Sequence, residues 1–169
     1  MTDAASRVLV LGYGNPGRLD DGLGPAAADR IAAADLPGVT VDSDYQLQIE
    51  DAAAIAQHDV VVFVDAAAKG PAPFFLQRVL PKADLSFTSH SVSQQALLAM
   101  ARDHFAADVE GYALGIRGDD FDAFGERLSE RAQNHLDAAV DYLVSALRRR
   151  TFDPSEAAAQ QCAACAATP

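Results

Sequence analysis

The chain has 169 residues, and 13 Lys and Arg stand against 24 Asp and Glu, a formal net charge of −11. With 50% hydrophobic and 22% charged residues it reads as one globular domain that needs no disulfide or folding metal, and wholesale disorder is excluded. An acidic surface repels phosphate backbones, and the only basic block is Arg148, Arg149 and Arg150, so no nucleic-acid partner is expected. No stretch has the roughly 20 uncharged apolar residues that span a bilayer, and Met1 to Ser6 lacks a basic-then-apolar signal pattern. The expectation is a cytoplasmic protein with no membrane partner.

In chain order, the apolar run Val8-Leu-Val-Leu11 ends at glycines and predicts a strand. A helix follows over Gly22 to Ala34, with Pro25 tolerable only in its first turn. Val39-Thr-Val41 predicts a second strand and Ile49 to Gln57 a short helix. Val60-Val-Val-Phe-Val64, between Asp59 and Asp65, predicts a strand buried on both faces. Phe74 to Leu80, flanked by prolines, predicts a strand at the sheet edge. Ser91 or Ser93 can cap a helix carrying Ala96, Leu97 and Met100, and Tyr112 to Ile116 predicts another strand. The last helix is marked by Leu128, Ala132, Leu136, Ala139, Val140, Leu143 and Leu147 at three- and four-residue steps. The three arginines close it, where the dipole favours cations.

Alternating strands and helices without repeats predict a three-layer α/β/α domain over residues 1–150, built on a mostly parallel, twisted sheet of about five strands. Residues 151–169 turn to Ala, Gln and Ser without a periodic face and predict a disordered tail. That tail holds both cysteines. Cys162-Ala-Ala-Cys165 has redox or metal spacing, but a zinc site needs two further ligands and a redox motif belongs in a folded core.

Four features could carry chemistry. Gly12-Tyr-Gly14-Asn-Pro-Gly17 follows a strand and fits a dinucleotide- or phosphate-binding loop, with Asp42 as a ribose ligand. Against this, Pro16 and Arg18-Leu-Asp20-Asp21 intervene, and two carboxylates would repel a pyrophosphate. Asp21 and Asp65 follow the first and third strands, at the carboxyl edge where open α/β sheets bind ligands, although either could simply cap a turn or helix. Of Asp20 and Asp21, only one can face a crevice. His90, ahead of a helix, is kept neutral by the positive helix end, the form that binds metals. Together Asp21, Asp65 and His90 make a set suited to a divalent transition ion. His58, His104 and His135 have no such setting and read as surface or helix-face residues. Glu50 reads as a favourable charge at a helix start.

Gly12-Tyr-Gly14-Asn15 with Asp20-Asp21-Gly22-Leu-Gly24, Val-Val-Phe-Val-Asp65-Ala, and Ser89-His90-Ser-Val-Ser resemble, in order, the hydrogenase maturation endopeptidase family. Gly111-Tyr-Ala-Leu-Gly-Ile-Arg-Gly118 and Gly125-Glu-Arg-Leu-Ser129 are similar to its C-terminal half, and the resemblance spans roughly residues 7–147. It implies an endopeptidase that removes the C-terminal extension of the large-subunit precursor of a nickel-iron hydrogenase once nickel is inserted. It also implies that Asp21, Asp65 and His90 form the catalytic, metal-binding cleft, with Asp21 where the family often has Glu. The ion is then nickel supplied by the substrate, gripped as the recognition element. Either the ion as Lewis acid or a carboxylate as base would activate the water.

Overall fold

The computed structural model describes residues 6–83 and 92–166, with side chains described as far as Gln160. Strands β1 (Val8–Tyr13), β2 (Val39–Asp44), β3 (Val60–Ala67), β4 (Phe74–Val79) and β5 (Glu110–Arg117) are joined with helices α1 (Leu23–Ala33), α2 (Asp51–Ile55), α3 (Gln94–Phe105), α4 (Glu130–Arg149) and α5 (Pro154–Ala166). The sheet order is β2-β1-β3-β5-β4, and every pairing is parallel except β4 with β5. The strand predicted between prolines is indeed an edge, where missing N–H donors cost no ladder bonds on the open side.

The central strands are apolar without interruption because both of their faces are covered. Val8, Val10, Val62 and Val64 pack with Leu23, Ile31, Leu136 and Leu143 of α1 and α4. The alternate residues Leu9, Leu11, Val61 and Phe63 pack with Ile55, Leu97 and Leu98 of α2 and α3. The fold is therefore the expected three-layer α/β/α arrangement. Helix α4 starts at Ser129, whose side chain accepts from the Ala132 N–H, and it ends at Arg150 in a left-handed conformation with φ of 54°.

Residues after Arg150 depart from the expected disordered tail. Phe152 is buried, its ring centroid 5.2 Å from that of Tyr112, and Ala157 is fully buried in the same core. The Tyr142 hydroxyl donates to the Asp153 carbonyl at 3.1 Å, and Arg149 pairs with Glu156 at 2.7 Å. One aromatic and one alanine seat this segment, too few to register as a periodic stripe. Cys162 and Cys165 fall on α5, and their side chains lie outside the described residues. Among the described residues no helix is long and apolar enough to cross a membrane.

Strand order fixes where a ligand can sit. From β1 the chain returns through α1 on one face to β2, whereas α2 and α3 cover the other face, so the winding reverses between β1 and β3. Loops leaving the carboxyl ends of those two strands part there and open a crevice. Asp21 follows β1, and Asp65 lies in the C-terminal part of β3.

Candidate active site

The loop after β1 is shaped by contacts between backbones. A Cβ on Gly12 would stand 2.4 Å from the Gly24 carbonyl oxygen, and one on Gly14, at φ of +142°, would stand 2.1 Å from the Asp21 carbonyl oxygen. Gly24 in turn lies against the Tyr13 and Val64 carbonyls. These glycines are used to press the start of α1 onto the ends of β1 and β3, which removes the approach that a dinucleotide phosphate would require. Asp42 is exposed and its carboxylate accepts from the Ser43 N–H, with nothing to orient it toward the loop.

A short 3-10 turn over Leu19–Gly22 then sorts the two adjacent aspartates. Leu19 adopts a left-handed backbone with φ of 49°, a conformation that costs a leucine roughly 1 kcal/mol and is held here by the Leu19 N–H to Gly125 carbonyl bond. Asp20 turns fully inward. Its carboxylate accepts from the N–H groups of Asp119, Asp120 and Ser129 and from the Ser129 hydroxyl, at 2.8 to 3.0 Å. Burial alone would raise its pKa, but the bonds from Ser129, Asp119 and Asp120 outweigh it and hold the carboxyl below the ordinary range. Asp20 is thus a clamp on the loop between β5 and α4. Asp21, partly exposed, turns the other way and accepts from the Asn15 N–H at 2.9 Å.

Asp65 is partly exposed at the end of the buried stretch of β3, where it accepts from the Ala66 N–H at 2.7 Å. Burial, followed by the nearby charge of Asp21, pushes its carboxyl from the ordinary 3.8 up to about 6, against hydrogen bonds from Ala66 and Tyr13 that lower it. Asp21 and Asp65 are therefore brought to one place, as the strand positions require. Tyr13 stands at the end of β1, and its hydroxyl oxygen accepts from Nε2 of Gln94 at 2.7 Å. Burial, and after it the charge of Asp65, raises the pKa of the Tyr13 hydroxyl and keeps it protonated. Tyr13 and Gln94 escaped the sequence reading. Tyr13 could have been found from strand alternation, being the next residue on the face of Leu9 and Leu11.

His90, together with Ser89 and Ser91, lies outside the described residues. The helix it precedes is capped by Ser93, whose side chain accepts from the Ala96 N–H at 3.1 Å. Among the described residues no three His, Cys, Asp or Glu side chains gather as a metal cluster. His135 is buried, with Nδ1 2.7 Å from the Arg117 carbonyl oxygen, and His58 bridges the Ala54 carbonyl and the Thr40 hydroxyl. Both are committed to packing, and Glu50 is exposed at the start of α2. A cleft of about 440 Å³ opens beside the site, lined among others by Tyr13, Leu47, Val79, Ser93 and Gln94.

Two carboxylates held within electrostatic reach, one of them partly desolvated, form an anionic corner with few options for neutralisation. A divalent cation or a proton relieves it, and a polarised water can be deprotonated there.

No protein-family model and no curated protein sequence matches the chain. Solved structures do. The hydrogenase 2 maturation peptidase from Thaumarchaeota archaeon SCGC_AB-539-E09 is 26% identical over 83% of this chain and 97% of its own, with a TM-score of 0.62. The [NiFe] hydrogenase maturation protease HycI from Thermococcus kodakarensis KOD1 shares the fold at a TM-score of 0.66 and 20% identity, covering 86% of this chain and 95% of that one. The maturating endopeptidase HybD from E. coli does so at 0.64 and 18%, covering 85% and 93%. In its fold, in the order of its motifs and in its identity to the thaumarchaeal peptidase, the chain is similar to the hydrogenase maturation endopeptidases.

Proposed function

We propose that the protein is the endopeptidase that cuts the C-terminal extension from the nickel-loaded large-subunit precursor of a nickel-iron hydrogenase, with Asp21, Asp65 and His90 as its working residues. The observation that carries this reading is the meeting of Asp21 and Asp65 at the β1/β3 switch point, close enough for the charge of one to raise the pKa of the other. Two carboxylate oxygens and a neutral imidazole suit a divalent transition ion.

The ion belongs to the substrate. Asp21 and Asp65, with His90, would complete the coordination of a nickel ion already held by substrate thiolates, and this would set the scissile peptide in register. Cleavage would then wait for metal insertion, because an empty precursor offers the two carboxylates nothing to grip. The chemistry is hydrolysis: water adds to the peptide carbonyl carbon, the C–N bond breaks, and the departing amine takes a proton. Asp65 is ionised at neutral pH with a carboxyl near 6, close enough to neutrality to accept a proton from that water and return one.

The test is incubation of the purified protein with precursor, either nickel-loaded or nickel-free. Loss of the C-terminal peptide is expected from the loaded form alone. Equal cleavage of both forms would refute nickel as the recognition element, and cleavage of neither would refute the substrate.

A further inference from the structure

We propose that the cleft at the start of α3 seats the first residues of the C-terminal extension, extended and uncharged. This deepens, and rests on, the reading of Asp21, Asp65 and His90 as the cutting site.

The argument begins in the strands. Leu11 stands opposite Phe63 and Gly12 opposite Val64, so Tyr13 and Asp65 come next, side by side. Asp65 is in register with Gly115 of β5, and Gly115 with Phe75 of β4. This row lies on the face that α2 and α3 cover, because Leu11 and Phe63, two residues earlier, belong to that core. The cleft reaches from Tyr13 on β1 to Gln77 and Val79 on β4, with residues 92–95 at the start of α3 as another wall. Asp65, on β3, stands between those ends. Three strand spacings of about 4.8 Å make roughly 14 Å, the reach of about four extended residues.

The lining selects against charge. Tyr13, Leu47, Val79 and Val92 supply apolar surface, and Gln46, Gln77 and Gln95 bring neutral amides that both donate and accept, as a peptide backbone does. Arg78 borders the cleft, but its guanidinium is held on the opposite face, 2.8 Å from the Tyr112 hydroxyl and 3.2 Å from Glu110. A charged substrate side chain entering here would lose hydration and gain no counter-charge. The occupant is the extension and not the mature body. A folded subunit cannot enter a cleft of about 440 Å³, whereas a chain end can, and nickel would hold the mature side at the cutting site.

The experiment measures kcat and KM on nickel-loaded precursor for the wild type, Gln77→Trp, Gln95→Glu and Gln133→Trp, alongside melting temperatures. Gln77→Trp fills the cleft from an exposed strand position, and Gln95→Glu adds a carboxylate at constant shape; Gln133, exposed on α4 across the sheet, is the control for bulk. Both cleft variants are expected to raise KM roughly tenfold or more with kcat and melting temperature near wild type, as loss of uniform binding does, while Gln133→Trp cuts normally. Precursors with a single Asp or Lys at one of the first four or so positions after the cut should raise the wild-type KM in the same way. Should Gln77→Trp fail to fold, Gln95→Glu and these precursors still decide. An unchanged KM for Gln95→Glu and for the charged precursors would refute the cleft as the seat of the extension and leave the cutting site standing. If the wild type cuts no precursor at all, the site reading falls, and this proposal falls with it.

Discussion

Replacing Asp65 by Asn should stabilise the protein at neutral pH. Burial and the charge of Asp21 raise the Asp65 carboxyl from 3.8 to about 6, so at pH 7.5 the native state carries an anion that the unfolded chain would hold more comfortably. A rise of that size corresponds to about 3 kcal/mol, and relaxation around the site brings the expected gain to about 1–3 kcal/mol. The amide keeps the shape, and its oxygen can still accept from the Ala66 N–H. Because this acid has a raised folded-state pKa, the native state binds its proton more tightly between 3.8 and about 6. Wild-type stability is therefore lost as pH rises through that window, and the penalty is complete above it. Urea and thermal melts of both proteins at pH 7.5 and at pH 4 check the sign. At pH 7.5 the variant should melt roughly 3–10 °C higher, given about 2–4 °C per kcal/mol in a domain of this size, and the difference should shrink toward zero at pH 4. A variant that is equal or weaker at pH 7.5, or a gain that persists unchanged in acid, would refute the electrostatic account.

Asp20→Ala should destabilise the fold by about 3 kcal/mol or more, because three backbone N–H groups and the Ser129 hydroxyl lose their acceptor. Amide exchange should accelerate at Asp119, Asp120 and Ser129, and a melting temperature within 2 °C or so of wild type would contradict the clamp. Ending the chain after Arg150 removes Phe152 and Ala157 from the core and should cost about 2–4 kcal/mol, read as a lower urea midpoint; an unchanged midpoint would show that α5 adds nothing.

The elements legible in the sequence are those whose burial is local in pattern. Val60 to Val64 reads as a two-sided strand because five consecutive apolar residues have no other home, and α4 declares itself through its stripe and its Ser129 cap. From these alone the three layers follow, and so does the placing of Asp21 and Asp65 at one edge. What stayed hidden depends on residues distant in sequence. The Asp20 clamp joins groups about 100 positions apart, and nothing local distinguishes Asp20 from Asp21. The dinucleotide pattern of Gly12, Gly14 and Gly17 is equally local, and only the crowding by Gly24 and Asp21 shows that its first two glycines serve the backbone. The seat of the C-terminal segment depends on single residues, Phe152 and Ala157, finding space left beside α4 and the sheet.

In the proposed function one protein site both reads nickel in the precursor and directs the cut, so loss of either a carboxylate or the imidazole should stop processing. The decisive measurement is intact-mass spectrometry on nickel-loaded precursor incubated with the wild type, His90→Ala, Asp65→Asn and the exposed-charge control Lys69→Ala. The wild type and Lys69→Ala should each remove a single C-terminal peptide, while His90→Ala and Asp65→Asn leave the precursor whole with their own folds intact by melting. Cleavage at the wild-type rate by either His90→Ala or Asp65→Asn would contradict the claim.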